Sequence, residues 1–328
     1  MKKESSSAGG VALWLFIILM LLLIILGGVS LLQKRSDTAS VDVSENNTQP
    51  SQIAAESEPT DAPPTEPETT EEREISFDFI EIESETALLT DIDGNELYSK
   101  NQYSRIYPAS LTKIMTAIVA IEHISDLDEQ IMIPGDIYDQ IAYENGSTAG
   151  FVAYECVTYR DMLYGAVLSS GAECCLTLAS YISGSEWEFV ELNSKAKELG
   201  MSDTSFTNVC GFQNYEHYST ASDISLLLRY ALENDTFYEI FTSQSYYTET
   251  DEHPDGITLS STMFSEMEGG RILGGKTGYT DEAGLCLASI AEIDGEIYVL
   301  ITAGAQGSHY TEPFHIYDAL KLYGNISG

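Results

Sequence analysis

Two tight-turn signals, Asp93-Gly94 and Asp294-Gly295, stand near opposite ends of the part of this 328-residue chain that can fold. Each lies between two extended runs, which is the pattern of a β-hairpin with a two-residue turn. Between the hairpins, apolar residues recur at spacings of three and four, as in buried helices. We therefore predict an α/β (α+β) fold, in which both ends of the chain form one antiparallel sheet and a helical lobe is inserted between them. The cleft between sheet and lobe is the natural place for an active site.

The helical lobe begins in the segment "YPASLTKIMTAIVAIEHI", where a proline precedes a long apolar periodicity. Further helices are predicted at Tyr159 to Ile182, Glu186 to Leu199, Ser222 to Asn234 and, after the last hairpin, Pro313 to about Tyr323. Within the first of these, Ser170-Gly171-Ala172 ends one apolar run and begins another. Ser170 is either a proton relay or a buried serine that caps a helix.

Residues 11–32 are uncharged and almost wholly apolar, and as a helix they would span about 33 Å, enough to cross a bilayer. This run exceeds the apolar region of a cleaved signal peptide, so we predict a single-pass transmembrane helix. Residues 1–10 are then cytoplasmic, because the large acidic remainder favours the outer side of the cell membrane. Residues 33–76 are rich in Ser, Thr, Pro, Asp and Glu without apolar periodicity, which predicts a disordered linker. Residues 77–328 are the predicted extracytoplasmic domain.

The chain is strongly acidic, with 52 Asp and Glu against 15 Lys and Arg and a formal net charge of -37. Binding of nucleic acid needs clustered basic side chains, so this composition excludes a nucleic-acid partner. The five cysteines form no C-x-x-C pair, and their odd number rules out a complete disulfide framework. The five histidines show no metal-ligand spacing, so we expect neither a metal ion nor another cofactor.

A serine followed three residues later by a lysine occurs at Ser110 with Lys113 and again at Ser194 with Lys197. On a helix this spacing places hydroxyl and amine on one face, where the amine can take the hydroxyl proton. The pattern is weak, since chance produces about one S-x-x-K in a chain of this composition. Ser110 is preferred because Pro108 favours a helix start and the apolar "IMTAIVAI" would bury the lysine, which lowers the pKa of an amine. Ser194 lies in "FVELNSKAKELG", which is typical of a solvated amphipathic helix.

Lys276-Thr277-Gly278 comes just before the final hairpin and is a more specific signal than S-x-x-K. On an edge strand, Gly278 would let a substrate backbone approach, while the lysine and threonine present an amine and a hydroxyl to a carboxylate. Lys276 is also the candidate for a second cation near Lys113. In isolation, the tripeptide is better explained as a glycine-rich turn with an exposed lysine.

The chain resembles the serine D-Ala-D-Ala carboxypeptidases, the low-molecular-mass penicillin-binding proteins of peptidase family S11. The resemblance covers Ala87 to about Tyr323, and it rests on "YPASLTKIMTA", "SGAEC" and "GGKTGYT" and on longer similarity in "TYRDMLYGAVLSSGAE" and "HYSTASDISLL". It implies the β-lactamase/transpeptidase-like fold and removal of the terminal D-alanine from peptidoglycan stem peptides that end in D-Ala-D-Ala. β-Lactams would then be covalent inhibitors.

The resemblance also implies roles for individual residues. Ser110 would be the acyl-enzyme nucleophile, Lys113 its base, and Ser170 a group in proton transfer. The substrate-binding residues would lie on one strand: Lys276, Thr277, Gly278 and Tyr279. Of these, the lysine and threonine would hold the substrate carboxylate, and the backbone N–H groups of Tyr279 and Ser110 would form the oxyanion hole.

Ala172 departs from the family pattern, because many members carry asparagine there, and a side-chain amide contact to substrate is then missing. This keeps open a non-catalytic penicillin- or peptidoglycan-sensing module, in which the same cleft holds ligand without turnover. A class A-like β-lactamase is the other alternative, although the E-x-x-L-N element that positions its deacylating water has no convincing match. Many members continue into a β-rich domain with a C-terminal membrane-binding helix, and we expect the N-terminal helix to provide that attachment here.

Overall fold

A computed structural model of the chain describes residues 76–182, 189–261, 263, 265–267, 270–308 and 310–327. The predicted segments 1–10 and 11–32, and all but the last residue of the predicted linker 33–76, lie outside the described residues. Among the helices that the structure describes, none has both the length and the apolar character needed to cross a bilayer.

An antiparallel sheet forms the centre of the domain. In chain order the described strands are β1 (Thr86–Asp91), β2 (Glu96–Lys100), β3 (Gln130–Met132), β4 (Cys156–Thr158), β5 (Ser245–Thr248), β6 (Ile257–Ser260), β7 (Ser265–Met267), β8 (Gly270–Thr280), β9 (Gly284–Ile293) and β10 (Glu296–Ala305). Six of them form the main sheet in the order β2-β1-β10-β9-β8-β7, while β3 pairs with β4 and β5 with β6. Since β1 pairs directly with β10, both ends of the described chain share one sheet, as predicted.

Both predicted hairpins are confirmed, but only the second has the predicted two-residue turn, because in the first the Asp91 backbone N–H donates to the Asn95 carbonyl across a three-residue turn. In the first turn, the Asp91 carboxylate accepts the backbone N–H and the side-chain amide of Asn95, at 2.8 and 2.7 Å, and Gly94 has φ 94°. In the second turn, Asp294 and Gly295 have φ 53° and 86°. Positive φ at both central residues is the geometry whose twist matches a two-residue hairpin.

The described helices are α1 (Thr112–His123), α2 (Ile137–Tyr143), α3 (Tyr159–Val167), α4 (Ala172–Ile182), α5 (Phe189–Leu199), α6 (Ala221–Leu232), α7 (Asp235–Thr242) and α8 (Phe314–Ser327). The first seven follow one another between β2 and β8 and form the predicted helical lobe. The helices predicted after Ser222 and after Pro313 are confirmed, although α8 runs past the predicted end at Tyr323. The predicted start of α5, at Glu186, lies outside the described residues.

The predicted helix from Tyr159 to Ile182 is wrong as a single helix, because it consists of α3 and α4 with a break between them. Ser170, in the break, has φ 61°, a left-handed conformation that interrupts the helical backbone. The start of α3 is a capping box, in which Thr158 Oγ1 accepts the Asp161 N–H at 3.1 Å and the Asp161 carboxylate accepts the Thr158 N–H at 2.7 Å. The break therefore falls where the sequence changes from one apolar run to the next.

The two faces of the sheet are covered by different parts of the chain, because successive strand residues point to opposite sides. On one face, Leu88 and Ile290 join the core of the helical lobe. On the other face, Leu89 and Leu287 pack with Tyr323 of α8. These two cores hold the lobe and α8 against opposite sides of the same strands.

The buried carboxylate of Asp318, on α8, fixes the chain just before β1. It accepts the backbone N–H groups of Glu83 and Ser84 at 3.0 and 2.8 Å and the Ser84 hydroxyl at 2.7 Å. These three hydrogen bonds satisfy donors of Glu83 and Ser84, which lie in a segment that is not paired with any described strand. We call these contacts the Asp318 clamp.

Candidate active site

Ser110 lies in a single 3-10 turn, Ala109–Leu111, immediately before α1, and we call this the Ser110 turn. Ala109 has φ 47°, a left-handed conformation that costs a non-glycine residue about 1 kcal/mol or more. Lys113, in the first turn of α1, is buried, and its amine donates to Ser110 Oγ at 3.0 Å. The structure thus brings the predicted serine and lysine into contact.

The Lys113 amine has a second partner, the backbone carbonyl of Cys210, at 2.7 Å. Cys210 belongs to a tight loop, residues 208–212, that is organised by the side chain of Asn208. Its Oδ1 accepts the backbone N–H groups of residues 210–212 at 3.1, 2.7 and 2.9 Å. The Asn208 loop therefore holds the carbonyl that orients the lysine.

Gly211 brings the Asn208 loop into direct contact with the Ser110 turn. It has φ 82°, and a Cβ added there would lie 1.8 Å from the carbonyl oxygen of Ala109. Only glycine fits this approach. Sequence analysis missed Asn208, and the only signal was an asparagine three residues before a glycine, which is common in turns.

His217 is a buried histidine that sequence analysis did not single out, although it opens the "HYSTASDISLL" segment. Its Nδ1 accepts the backbone N–H of Thr207 at 3.1 Å, so its Nε2 carries the proton and donates to Thr112 Oγ1 at 2.7 Å. The threonine hydroxyl in turn donates to the carbonyl of Ala109 at 2.8 Å. Burial and the charge of Lys113 lower the pKa of His217 to about 4, so the ring is neutral at pH 7.

The second predicted lysine, Lys276, lies on β8 and is also buried. Its amine donates to Ser170 Oγ at 2.9 Å and to the carbonyl oxygen of Thr277 at 2.8 Å. Burial, together with the positive charge of Lys113, holds the pKa of Lys276 well below its usual value. The two lysines are therefore close enough to affect each other, and each contacts one of the predicted serines.

The Lys276–Gly278 segment runs beside the Ser110 turn. A Cβ added at Gly278 would lie 2.9 Å from the backbone nitrogen of Ser110, so glycine permits this approach. By strand order β8 is second from the edge, but β7 pairs with it only over Gly270–Ile272. The prediction of an edge strand is therefore correct for the motif, since no described strand pairs along that side beyond Ile272.

These residues face a cleft of about 760 Å³ between the sheet and the helical lobe. The predicted residues that line it are Ser110, Lys113, Ser170, Thr277, Gly278 and Tyr279. Lys276 contacts this lining through Ser170 and Thr277. Acidic side chains also lie in the lining, and the hydroxyl of Tyr279 donates to the Asp281 carboxylate at 2.6 Å.

Ala172, the departure from the family pattern, is fully buried at the start of α4. Its N–H donates to the carbonyl of Ser147 at 2.8 Å, and its carbonyl accepts the thiol of Cys210 at 3.6 Å. A Cβ added at Gly146 would lie 2.8 Å from the ring of Phe212 and 3.4 Å from the Ala172 Cβ. The alanine thus lies close to Gly146, with no side-chain amide of its own.

The second S-x-x-K pair lies elsewhere, on α5, where Ser194 and Lys197 are exposed. The adjacent Lys195 forms ion pairs with Glu122 at 2.9 Å and Glu198 at 3.1 Å, as on a solvated helix face. In the part of the chain that the structure describes, no group of three or more His, Cys, Asp or Glu side chains is arranged to hold a metal ion.

The penicillin-recognising fold is characterised by an antiparallel sheet with a helical lobe on one face and a helix on the other. Two serine–lysine pairs lie in the cleft between the sheet and the lobe. The family model of Peptidase S11, described as D-alanyl-D-alanine carboxypeptidase, matches residues 68–307. The chain belongs to this family.

Relatives and solved structures agree with this assignment. The D-alanyl-D-alanine carboxypeptidase DacF of Bacillus subtilis is 32% identical over 226 residues, which cover 68% of this chain and 58% of the relative. DacD of Escherichia coli is 32% identical over 216 residues, 62% of this chain and 53% of the relative. The chain thus spans little more than half the length of these curated relatives. The crystal structure of the Streptomyces K15 DD-transpeptidase superposes with a TM-score of 0.69 at 27% identity, covering 75% of this chain and 97% of that one.

Proposed function

We propose that the chain is a serine-type D-Ala-D-Ala carboxypeptidase that removes the terminal D-alanine from peptidoglycan stem peptides. The observation that carries this proposal is the pairing of two serines with two buried lysines at one cleft. Lys113 Nζ lies 3.0 Å from Ser110 Oγ, and Lys276 Nζ lies 2.9 Å from Ser170 Oγ. A hydroxyl within hydrogen-bonding reach of a desolvated amine is the arrangement of an activated nucleophile. Family membership supplies the substrate class.

In the proposed acylation, Ser110 Oγ attacks the carbonyl carbon of the penultimate D-alanine while Lys113, in its uncharged amine form, takes the hydroxyl proton. The carbonyl of Cys210 accepts another hydrogen bond from the same amine, which keeps it directed at Ser110. The negative charge that develops on the substrate oxygen is stabilised by the backbone N–H groups of Ser110 and Tyr279. Gly278 supports this step because it lets β8 lie against the Ser110 turn.

The leaving amine of the terminal D-alanine needs a proton, and Ser170 is placed to relay it. Its hydroxyl accepts a hydrogen bond from Lys276, whose amine and the neighbouring Thr277 hydroxyl bind the terminal carboxylate. Water then attacks the ester on Ser110, and the same groups transfer protons in the reverse direction. The products are D-alanine and a stem peptide shortened by one residue.

Covalent labelling tests this proposal. The full-length protein in detergent is incubated with a fluorescent penicillin and, separately, with a pentapeptide that ends in D-Ala-D-Ala. We expect label on Ser110 and release of D-alanine, both lost in Ser110→Ala. Ser194→Ala, from the other S-x-x-K pair, is the matched control and should keep both. Absence of label on the unsubstituted protein, or label that survives Ser110→Ala, would show that the nucleophile is wrong.

One alternative has an observation in its favour, since Ala172 supplies no side-chain amide at a position where many family members carry asparagine. A penicillin- or peptidoglycan-sensing module would take the label without releasing D-alanine. Rapid hydrolysis of the penicillin would instead identify a class A-like β-lactamase. The same two incubations therefore separate the three functions.

We also propose that residues 11–32 anchor the protein in the cell membrane, with 1–10 in the cytoplasm, 33–76 as a linker and 77–328 outside. The apolar length of the first segment supports this, as does a substrate class found outside the membrane. Protease treatment of intact protoplasts should digest the outer domain and leave a membrane-bound N-terminal fragment. Secreted protein cleaved near Ser30 would contradict the anchor.

A further inference from the structure

Glu173 carries a buried carboxyl group directly after Ser170-Gly171-Ala172, and the proposed reaction does not use it. Its exposed fraction is 0%, and its Oε1 accepts the backbone N–H groups of Ala149 and Gly150 at 2.6 and 3.1 Å. Its Oε2 is also buried and has no hydrogen-bond partner in the part of the chain that the structure describes. Burial raises the pKa of this carboxyl group, because ionisation away from water is unfavourable. Stability of the fold alone therefore does not account for an acid at this position.

The segment 147–150, which Glu173 holds at one end, contacts the break between α3 and α4 at its other end. The Ser147 hydroxyl donates to the carbonyl of Ser170 at 2.7 Å. The Ser147 carbonyl accepts the N–H of Ala172 at 2.8 Å. Four hydrogen bonds therefore join this segment to the break and to the first turn of α4.

Ser170 depends on these neighbours for its backbone conformation. Its φ of 61° is one that a non-glycine residue keeps only where the surrounding structure holds it. A Cβ added at Gly171 would lie 2.8 Å from the Ala149 Cβ and 2.9 Å from Glu173 Oε2, so the break packs closely against both. In this conformation the Ser170 hydroxyl lies 2.9 Å from the amine of Lys276.

We propose that Glu173 is a positioning residue for Ser170, because it fixes the segment 147–150, which in turn holds the Ser170 hydroxyl against Lys276. The other serine–lysine pair is oriented separately, by a carbonyl of the Asn208 loop. Loss of the Glu173 carboxyl group should therefore impair the proton relay more than the nucleophilic attack. This inference rests on the proposed function, in which Ser170 relays a proton to the leaving amine.

The leaving group distinguishes a defect in the relay from a general loss of activity. An amine needs a proton to leave, whereas a thiolate leaves without one. We expect Glu173→Ala to lower kcat/KM for a D-Ala-D-Ala-ended peptide on the order of 100-fold, the effect that a displacement of about 1 Å can have. The matching thioester, in which mercaptoacetate replaces the terminal D-alanine, should keep nearly the kcat/KM of the unsubstituted protein. Because kcat/KM covers the steps up to the acyl-enzyme, the comparison is independent of deacylation.

Two variants control for the loss of a buried acid. Glu173→Gln keeps an oxygen that can accept both backbone N–H groups, so it should restore most of the activity on the peptide. Glu155→Ala removes another fully buried carboxylate, which accepts the Val152 N–H at 2.8 Å. None of the described hydrogen bonds of the Glu155 carboxylate reaches the segment 147–150 or the break. This control should therefore leave the ratio of peptide to thioester activity as it is in the unsubstituted protein.

Two further variants test whether the effect passes through Ser170. In a Ser170→Ala background, Glu173→Ala should lower kcat/KM for the peptide little further, because the hydroxyl that it positions is already absent. Ser147→Ala removes only the hydrogen bond to the Ser170 carbonyl, at an exposed residue where the substitution does not threaten folding. It should slow cleavage of the peptide more than cleavage of the thioester, and it decides the question if Glu173→Ala does not fold.

Equal slowing of peptide and thioester cleavage in the folded variant would overturn the proposal, as would an additive loss on top of Ser170→Ala. Hydrogen exchange followed by mass spectrometry adds a readout that does not depend on the reaction. In Glu173→Ala, or in Ser147→Ala if the former does not fold, exchange should become faster in 170–173 as well as in 147–150. Faster exchange in 147–150 alone would overturn the proposal whatever the protein catalyses. Absence of D-alanine release by the unsubstituted protein, with faster exchange in both segments of the variant, would contradict the proposed function alone.

Discussion

At the scale of the residue, Lys276 combines a buried amine with a proposed role in holding a carboxylate. Its pKa lies well below the usual value, first because of burial and then because of Lys113. A bound carboxylate has the opposite effect, since an anion nearby favours the ammonium form. Ligand binding should therefore raise the pKa of Lys276. The amine then takes a proton from solvent when the pH lies between its pKa in the free protein and its pKa in the ligand-bound protein.

This proton uptake is measurable by titration calorimetry. A D-Ala-D-Ala-ended peptide is titrated into Ser110→Ala at a series of pH values, each in buffers with different enthalpies of ionisation. We expect the observed enthalpy to depend on the buffer, with uptake of up to one proton per site. Adding Lys276→Arg should remove the dependence, because a guanidinium stays charged. Equal enthalpies in all buffers before that substitution would contradict the role of the amine.

His217 gives the fold a pH dependence of known sign. Its pKa of about 4 in the folded protein is below the usual 6.5, so the folded state resists protonation. The stabilisation is complete above pH 6.5 and is lost as the pH falls toward 4, by about 3 kcal/mol. Urea unfolding at pH 7 and pH 4 should show this loss. His217→Gln, which offers one acceptor and one donor in place of the ring nitrogens, should show a smaller loss, and equal losses would contradict the assignment.

At the scale of the element, substitution of glycine by alanine should impair the site at one position and stabilise the fold at another. In β8, a Cβ at Gly278 meets the backbone of the Ser110 turn, so Gly278→Ala should slow penicillin acylation on the order of 100-fold. In α8, Gly324 is exposed with no neighbour within 4 Å, and Gly324→Ala should stabilise the fold by up to about 1 kcal/mol. Labelling rates and thermal unfolding of both variants check this. Slower acylation of the Gly324→Ala variant would show that the loss of rate is not specific to β8.

The elements also show what sequence reasoning could reach. The hairpins were predictable because turn residues and strand alternation are local signals, and Asp294-Gly295 needs no distant partner to form its turn. The left-handed conformation of Ala109 was not predictable, because alanine has no preference for it. It is held by His217 through Thr112, a contact 105 residues apart in sequence, and by the approach of Gly211. The motif positions could thus be predicted, whereas the contacts that set their geometry come from tertiary packing.

At the scale of the whole molecule, the Asp318 clamp joins the last helix to the segment that leads into the first strand. Asp318→Ala would leave buried N–H groups without an acceptor, and we expect the free energy of unfolding to fall by about 3 kcal/mol. Chemical unfolding measures this loss. The acylation rate of the folded protein should be unchanged, because Asp318 does not line the cleft. A slower rate at unchanged stability would instead indicate that the clamp acts on the site.

The pairing of β1 with β10 sets the order of events during biosynthesis. About 200 residues separate the two strands, and at 5–20 residues per second their synthesis takes roughly 10 to 40 seconds. For that interval β1, which is buried on both faces in the folded protein, has only the short β2 as a neighbour in the sheet. Translation that stops before β10 therefore releases an aggregation-prone strand edge rather than a smaller working domain.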